Sequence, residues 1–366
     1  KDDSGIYYSA IDADSEGIEG KFYTWSWQEL KTLFTASQLE FATTYFGVKN
    51  EGNWEDTNIL LHAASMEEMA EKFQLTEEEV SEKIEELKNI LLQRRAQRVR
   101  PLTDDKCLLS WNALMNIAWV DASIALDKPA YLQKAIVHMD ELLTNYELDE
   151  KLFRVYKDGK ARIEATLEDY AFLIQSLIHL SSASGNHFYL RKATTYCTLV
   201  EADFLQENGV MFYFTSHHQT HIPVRKIELH DGAVPSSNAY MAHNLMMLGI
   251  CMGNNNWIEQ AHQMLQQLFL AATKQSLSFA YWCVLMQRTH YVWKITLLRE
   301  DKMEVFKSKF REKICPHVLI LVASPNTFEI PLLHNKDFSN GNSIFVCSEE
   351  MCYPPTNDIS KAINFL

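Results

Sequence analysis

The chain has 366 residues, 47% of them apolar, and its 34 Lys and Arg against 48 Asp and Glu give a net charge of −14. That length and apolar content support a full hydrophobic core and exclude a disulfide-stapled miniature or a generically disordered chain; the acidity, with no basic cluster interleaved with aromatics, excludes a nucleic-acid partner. Glycine and proline number 12 and 9, less than half of the roughly 44 that average usage of about 12% would place here, so turns are few and helices are favoured.

In chain order, Lys1 leads directly into a strand-like Ile6–Ala10, which predicts that the natural start lies upstream and that this is a fragment. An acidic stretch follows, Asp12-Ala-Asp14-Ser-Glu16-Gly17-Ile-Glu19-Gly20-Lys-Phe-Tyr-Thr-Trp25. The pattern Thr76-Glu-Glu-Glu79 opens a helix expected over Thr76–Arg98 as a capping box.

Three segments then repeat one pattern: Asp127-Lys-Pro-Ala-Tyr131-Leu-Gln-Lys-Ala135, Gly185-Asn-His-Phe-Tyr189-Leu-Arg-Lys-Ala193 and Gly253-Asn-Asn-Asn-Trp257-Ile-Glu-Gln-Ala261. Each places an aromatic four residues before an alanine, after an apolar helix has ended at a turn signal, so each is a short-looped helical hairpin with the alanine at a close helix–helix contact. Trp111–Leu126, Leu167–Ser182 and Asn238–Met252 are apolar nearly all round, as inner helices are; Tyr131–Tyr146, Phe188–Leu205 and Trp257–Thr273 carry polar residues between apolar ones, as outer helices do. With Thr76–Arg98 as an earlier outer helix and Ser278–His290 closing the series, the fold class is mainly α, an incomplete (α/α)6 toroid over residues 1–290. Six hairpins at roughly 60 residues each would need about 360 residues, more than this region has.

The connections 147–166 and 207–235 are long and hold strand signals, Leu152–Gly159 with an Asp-Gly hairpin turn and Val210–Thr215. From Tyr291 the pattern becomes strand (Tyr291–Leu298), helix (Lys302–Lys313), strands (His317–Ala323 and Ser343–Cys347) and a short helix from Asn357, a small α/β unit over 291–366. Uninterrupted apolar runs fall far short of the ~20 residues that span a bilayer, and there is no signal-peptide pattern. Seven cysteines without a CxxC predict reduced thiols and a cytoplasmic location, and Cys347-x4-Cys352 reads as buried or incidental thiols rather than a zinc site.

Four clusters are expected at the pocket-facing ends of the inner helices. In the acidic stretch Asp12, Asp14, Glu16 and Trp25 suit sugar hydroxyls or a cation, though a solvated acidic loop explains them equally. Asp104, Asp105, Trp111 and Asn112 enter an inner helix, where carboxylates also compensate its dipole and a helical Asn needs a buried partner or a ligand. In Thr166-Leu-Glu168-Asp169-Tyr170, Asp169 is accounted for by capping from the third helical position, while Glu168 and Tyr170 are not. His230 and Asp231 precede the helix start Pro235-Ser236 and are not needed to cap it, and Asn238 follows. His217-His218-x-x-His221 lies in a loop without the helical spacing that makes such motifs specific, and reads as solvated. No GxGxxG, P-loop or GxSxG motif occurs, so no cofactor and no metal is expected. Carboxylates, one histidine and Trp and Tyr faces suit a carbohydrate or other small-molecule ligand, with two carboxylates as acid and base.

These clusters, as Ser9-Ala-Ile-Asp12-Ala-Asp14-Ser-Glu16-Gly-Ile-Glu19-Gly-Lys-Phe-Tyr, Asp104-Asp105-Lys106 with Trp111-Asn112, Leu167-Glu168-Asp169-Tyr170-Ala-Phe-Leu and Asp231-Gly-Ala-Val-Pro235-Ser, resemble the thioredoxin-domain family of the spermatogenesis-associated thioredoxin-like protein and its uncharacterised bacterial relatives. The resemblance runs through most of the chain and is weakest after residue 290. It implies an N-terminal thioredoxin-like domain in cis, followed by an (α/α)6 toroid similar to N-acylglucosamine 2-epimerases and six-hairpin glycosidases. The thioredoxin-like domain, its cysteine motif and the first toroid helices are not in this sequence. Where the family reads Pro-Ser-Gly-Asn-Ser, the chain has Pro235-Ser-Ser237-Asn238-Ala239, and Ile18 replaces a usual acidic residue. The expectation is a carbohydrate-active toroid of glycoside-hydrolase type, with Asp231 and Glu168 or Asp105 as acid and base beside His230. The alternatives are a sugar epimerase, a chemistry that uses paired histidines where only His230 is well placed, and a non-catalytic scaffold that presents clients to the thioredoxin-like domain.

Overall fold

The computed structural model describes residues 1–290, 294–311, 318–323, 330–334, 336–338, 343–347 and 351–366. Their packing makes two units, Ser9–Asp105 and, separately, Lys1–Tyr8 with Lys106–Leu366.

The unit Ser9–Asp105 starts with β1 (Ala10–Ile11) and the tiny hairpin β2 (Asp14–Ser15) and β3 (Ile18–Glu19). Helices α1 (Trp27–Leu33), α2 (Ala36–Phe46), α3 (Met66–Phe73) and α4 (Glu77–Ala96) follow, and β4 (Thr103–Asp104) returns to pair antiparallel with β1. The capping box read from the sequence is present: Glu79 N–H donates to Thr76 Oγ1 at 3.2 Å and Thr76 N–H to the Glu79 carboxylate at 2.8 Å. Val80, Ile84, Leu87 and Leu91 of α4 are buried with Trp25, Leu30, Phe41 and Met69. The helix expected as an outer member of the toroid therefore spends its apolar face on this unit's own core.

In the other unit, β5 (Cys107–Leu108) leads into α5 (Leu109–Ala125), which turns back as α6 (Pro129–Tyr146). The connection holds β6 (Glu147–Leu148), β7 (Lys151–Lys157) and β8 (Lys160–Glu164); β7 and β8 are joined by the expected Asp-Gly turn, with Asp158 and Gly159 at φ 52° and 71°. Two more hairpins follow, α7 (Leu167–Ser184) with α8 (His187–Phe204) and α9 (Ser237–Met252) with α10 (Asn255–Lys274), and then α11 (Ala280–His290). Helices α5, α7, α9 and α11 pack side by side, and α6, α8 and α10 each pack on the inner helix before them. This is an arc of an α/α toroid. The sequence reason is plain in α7 and α9, which are buried on nearly every face.

The repeat also explains the turns. Its first position, Asp127, Gly185 or Gly253, has φ of 52°, 75° or 65°, the left-handed conformation that ends one helix so that the next starts at once. Its last position, Ala135, Ala193 or Ala261, is fully buried. Val210–Thr215, expected as a strand, makes only a single backbone bridge, Leu205 to Phe212. Its other backbone groups are scattered over several partners, among them Phe204, Leu167, the Asn238 side chain and the loop at Lys226.

Beyond α11, β9 (Lys294–Arg299), α12 (Met303–Phe310) and β10 (Val318–Ala323) form a parallel crossover, with α13 (Pro331–His334), β11 (Ile344–Cys347) and α14 (Ile359–Asn364) after it. The sheet order is β10-β9-β11. Leu297, Leu319, Leu321 and Phe345 join the toroid core while Leu298, Ile320, Ile344 and Val346 face α12 and α14. The expected strand starts at Tyr291 and His317 and the expected helix end at Lys313 lie outside the described residues. Cys347 and Cys352, read as thiols, are joined in a disulfide.

A buried polar network ties the first hairpin together. His138 Nε2–H donates to Asn112 Oδ1 (3.1 Å), and its Nδ1 accepts from Asn116 Nδ2 (3.3 Å). Asn116 also donates to the Ala135 carbonyl (2.7 Å) and accepts from Ser176 Oγ (3.0 Å), which brings in α7. Both ring nitrogens are thus used by the neutral imidazole, and a second ring proton would face the Asn116 donor. Burial lowers the His138 pKa from 6.5 to about 4.

Two measurements follow from this packing. The unfolded chain protonates His138 below pH 6.5 and the folded one only near 4, so stability is complete above pH 6.5 and falls between 6.5 and 4, by about 3 kcal/mol from this group. His138→Gln should flatten that part of the pH profile in urea unfolding. At Gly249 of α9 an added Cβ would lie 2.7 Å from Ile258 Cγ1 and 3.0 Å from the Asn254 carbonyl oxygen, whereas at Gly253 nothing lies nearer than 3.9 Å. Gly249→Ala should therefore cost about 1–3 kcal/mol through overpacking, and Gly253→Ala about 1–2 kcal/mol through left-handed strain alone.

Candidate functional site

The expected site residues fall into both units. In Ser9–Asp105, Asp12, Asp14 and Glu16 are exposed, and Glu16 and Gly17, at φ 53° and 75°, form the two-residue turn between β2 and β3. Glu16 pairs with Lys21 at 2.9 Å. Trp25 presents no open face: it is 2% exposed, bridges to Asn58, and carries the Arg98 guanidinium 4.0 Å above its ring. Arg98 also donates to the carbonyls of Phe22 and Thr24 and pairs with Glu29 at 2.8 Å. A polar cleft of about 680 Å³ lies among Glu16, Lys21, Glu29, Arg94 and Arg98. Asp104 is in register with Ala10 on β1, and Asp105 ends the unit.

In the toroid unit the chemistry gathers at the N-terminus of α7. Asp169 is fully buried, and its carboxylate accepts from Thr166 N (2.9 Å), Thr166 Oγ1 (2.9 Å), Ser110 N on α5 (3.2 Å) and Arg154 on β7 (3.1 Å). Burial pushes its pKa up, against the pull of Arg154 and Thr166. Arg154 reaches on to Glu168 at 3.3 Å. Glu168 also acts on Glu228, an exposed residue of the 207–235 connection whose pKa is raised by partial desolvation of its carboxyl first and by the Glu168 charge second, with Lys226 and Arg154 opposing. An arginine-paired carboxyl thus stands beside a second carboxyl that holds its proton more tightly than usual. Trp111, 42% exposed, is the third residue of α5 and follows Ser110, whose N–H contacts Asp169.

Glu228 and Arg154 were not among the sequence candidates. Neither sits in a recognisable motif, and only the fold carries the 207–235 connection to α7. There the Leu167 N–H donates to the Phe214 carbonyl (2.9 Å) and the Phe214 N–H to that of Lys226 (2.7 Å). The candidates Asp231 and Asn238 hold that connection in place. Asp231 accepts from Ser236 N on one oxygen and Tyr281 N on the other, both at 2.8 Å. Asn238 is buried, accepts from Phe212 N (2.8 Å) and donates to the carbonyls of Phe212 and Glu228 (both 3.0 Å). Trp282 Nε1 donates to the Leu229 carbonyl at 2.8 Å. His230 is exposed, its ring 4.7 Å from that of Phe279.

Two other candidates are built into the core. Asn112 clamps the Tyr7 backbone, accepting from its N–H at 2.9 Å and donating to its carbonyl at 3.1 Å, besides its bond to His138. Tyr170 is 4% exposed, accepts from Leu152 N at 3.2 Å, and has its pKa pushed up to about 12 by burial. The histidine motif splits: His217 and His218 gather with Asp203, while His221 is not in that group.

The chain is thus a mainly helical protein of α/α-toroid class, with a carboxylate and arginine cluster at the N-terminus of an inner helix. Its homologues are spermatogenesis-associated protein 20, of the thioredoxin-domain family, and an uncharacterised worm protein. The Rattus norvegicus and Homo sapiens proteins are both 27% identical over 70% of this chain and 37% of their own length. The Caenorhabditis elegans protein is 30% identical over 71% of this chain and 40% of its own. The chain spans about two fifths of the length of the curated relatives it matches. No family model matches. Among solved structures, a GH76 alpha-mannanase of Bacteroides thetaiotaomicron aligns over 47% of this chain and 45% of its own at 13% identity, with a TM-score of 0.36. No helix among the described residues is long and apolar enough to cross a membrane.

If Asp231 is the anchor of the 207–235 connection, Asp231→Asn replaces one acceptor by a donor facing a backbone N–H. It should lower unfolding free energy by about 1–3 kcal/mol in urea titration with no ligand present. Unchanged stability would remove Asp231 from that role.

Proposed function

We propose that this chain is the greater part of a carbohydrate-active toroid, with glycoside-hydrolase-type acid–base chemistry at Glu168 and Glu228. The observation that carries the reading is the difference between their environments: Arg154 pairs with Glu168 at 3.3 Å, while partial desolvation of the exposed Glu228 carboxyl first and the nearby Glu168 charge second raise the pKa of Glu228. Glu228 is then the acid and Glu168 the base or nucleophile. Trp111 offers an exposed aromatic face for a sugar ring at the end of α5 that carries Ser110. Asp231 and Asn238 act through the backbone that presents Glu228, which revises their expected role from acid–base and ligand contacts to positioning. A client-presenting scaffold is the competing reading, favoured by how many of the expected site residues, among them Asn112, Asp169 and Tyr170, spend their polar groups on the fold.

The test is a thermal-shift and turnover screen of the full-length natural protein against mono- and disaccharides and chromogenic glycosides. One sugar class should stabilise the wild type, equivalent to about 2.7 kcal/mol at a hundredfold excess over Kd. Trp111→Ala should lose that shift. Glu228→Gln should keep it and lose turnover by a factor of about 10² or more. No shift with any sugar favours the scaffold.

A further inference from the structure

Asp203 is the second-last residue of α8, and the main chain of the following loop folds back onto it. The His217 N–H donates to the Asp203 carbonyl oxygen at 3.0 Å, and His217 Nδ1 lies 3.1 Å from the same oxygen. A ring N–H bound to a backbone carbonyl fixes an imidazole's tautomer and orientation, the outer-shell contact that metal-binding histidines use. The next residue, His218, places Nε2 at 3.4 Å from Asp203 Oδ1, and its own N–H is taken by Ser216 Oγ at 3.1 Å. The two imidazole rings lie 3.9 Å apart. Arg225 braces the loop, donating to the carbonyls of Thr215 (3.0 Å) and Asp203 (3.2 Å) while stacked 4.0 Å over Tyr213, with Glu207 at 3.7 Å from its guanidinium. Its charge is therefore directed at main-chain oxygens and Glu207.

One ring nitrogen from each histidine and one Asp203 oxygen all lie within 4.8 Å of one another. In a tetrahedral site with bonds of about 2.1 Å, ligand atoms are about 3.4 Å apart, so the His218–Asp203 pair is already at that spacing. His217, being exposed, needs to close by little more than an ångström. Asp203 and His218 also line a cleft of about 30 Å³ with Glu164, Tyr170 and Ser216, room for an ion with a bound water.

We propose that Asp203, His217 and His218 form a divalent transition-metal site of zinc type. Two imidazoles and one carboxylate select zinc-like ions over magnesium or calcium, which take oxygen ligands. Three protein ligands leave a fourth position for water or substrate, as in open rather than closed zinc sites. The site pins the end of α8 to the connection that presents Glu228, independently of what binds beside Glu228.

The test is isothermal titration of the chelator-stripped chain with Zn²⁺, with Co²⁺ absorption as a second readout. One equivalent should bind, weakened at least tenfold in each of His217→Ala, His218→Ala and Asp203→Asn and unchanged in His221→Ala, with excess Mg²⁺ failing to displace it. Circular dichroism of the metal-free variants checks that they remain folded; both histidines are exposed, so their removal leaves the core intact. Absence of binding, or an equal loss in His221→Ala, overturns the assignment, the latter because it would mean chelation by a histidine-rich loop without a formed site.

Discussion

The Asp169 carboxylate is out of reach of water, and donors from three places meet on it: the start of its own helix at Thr166, the start of α5 at Ser110, and Arg154 on β7. A buried charge tolerates few arrangements, since losing any one donor leaves it uncompensated. That requirement fixes the N-termini of α5 and α7 beside each other and the β-hairpin against both. It also decides where Arg154 can be, and so gives Glu168 its counter-charge.

The same economy runs through the 207–235 connection. A loop of that length over an inner-helix terminus has no ladder to satisfy its backbone, so side chains must do so. Asp231, Ser236, Asn238 and the Trp282 indole each take up one or more of its main-chain groups. Residue types that look catalytic in a sequence are those best able to do this, because a carboxylate or an amide can satisfy two backbone groups at once. Many polar residues around these helix ends therefore face the protein's own backbone, and the side chains of Glu168, Glu228 and Trp111 are among those that do not.

The helical hairpins were legible because their signals are local. A left-handed turn position, an aromatic and a buried alanine recur at fixed offsets, and the structure places Asp127, Gly185 and Gly253 and their alanines accordingly. The helix at Glu77–Ala96 was also legible as a helix, but its partner was not: periodicity says that a face is buried, not against what, and Val80 and Leu87 are buried with Trp25 and Phe41 in a separate core. The site was legible only in part. Glu168 stood out because capping explained Asp169 and left its neighbour over, whereas Glu228 and Arg154 acquire meaning only through a charge interaction across 60 positions of sequence and an ion pair across 14. His217 and His218 were noticed in the sequence but read as solvated for want of helical spacing, because the residue they gather with, Asp203, comes from the preceding helix.

The Cys347–Cys352 disulfide has a consequence for how the protein behaves when its fold loosens. β11, with its run Ile-Phe-Val-Cys, is the outermost strand of its sheet, and its free side is covered by the chain's own next segment: Tyr353 N–H bonds to Val346, and Ile344 and Thr356 exchange both backbone bonds. The disulfide clips that cover at its near end. Reduction would loosen a short apolar strand edge able to pair with another chain, so thiol state here bears on self-association before it bears on any chemistry in the toroid.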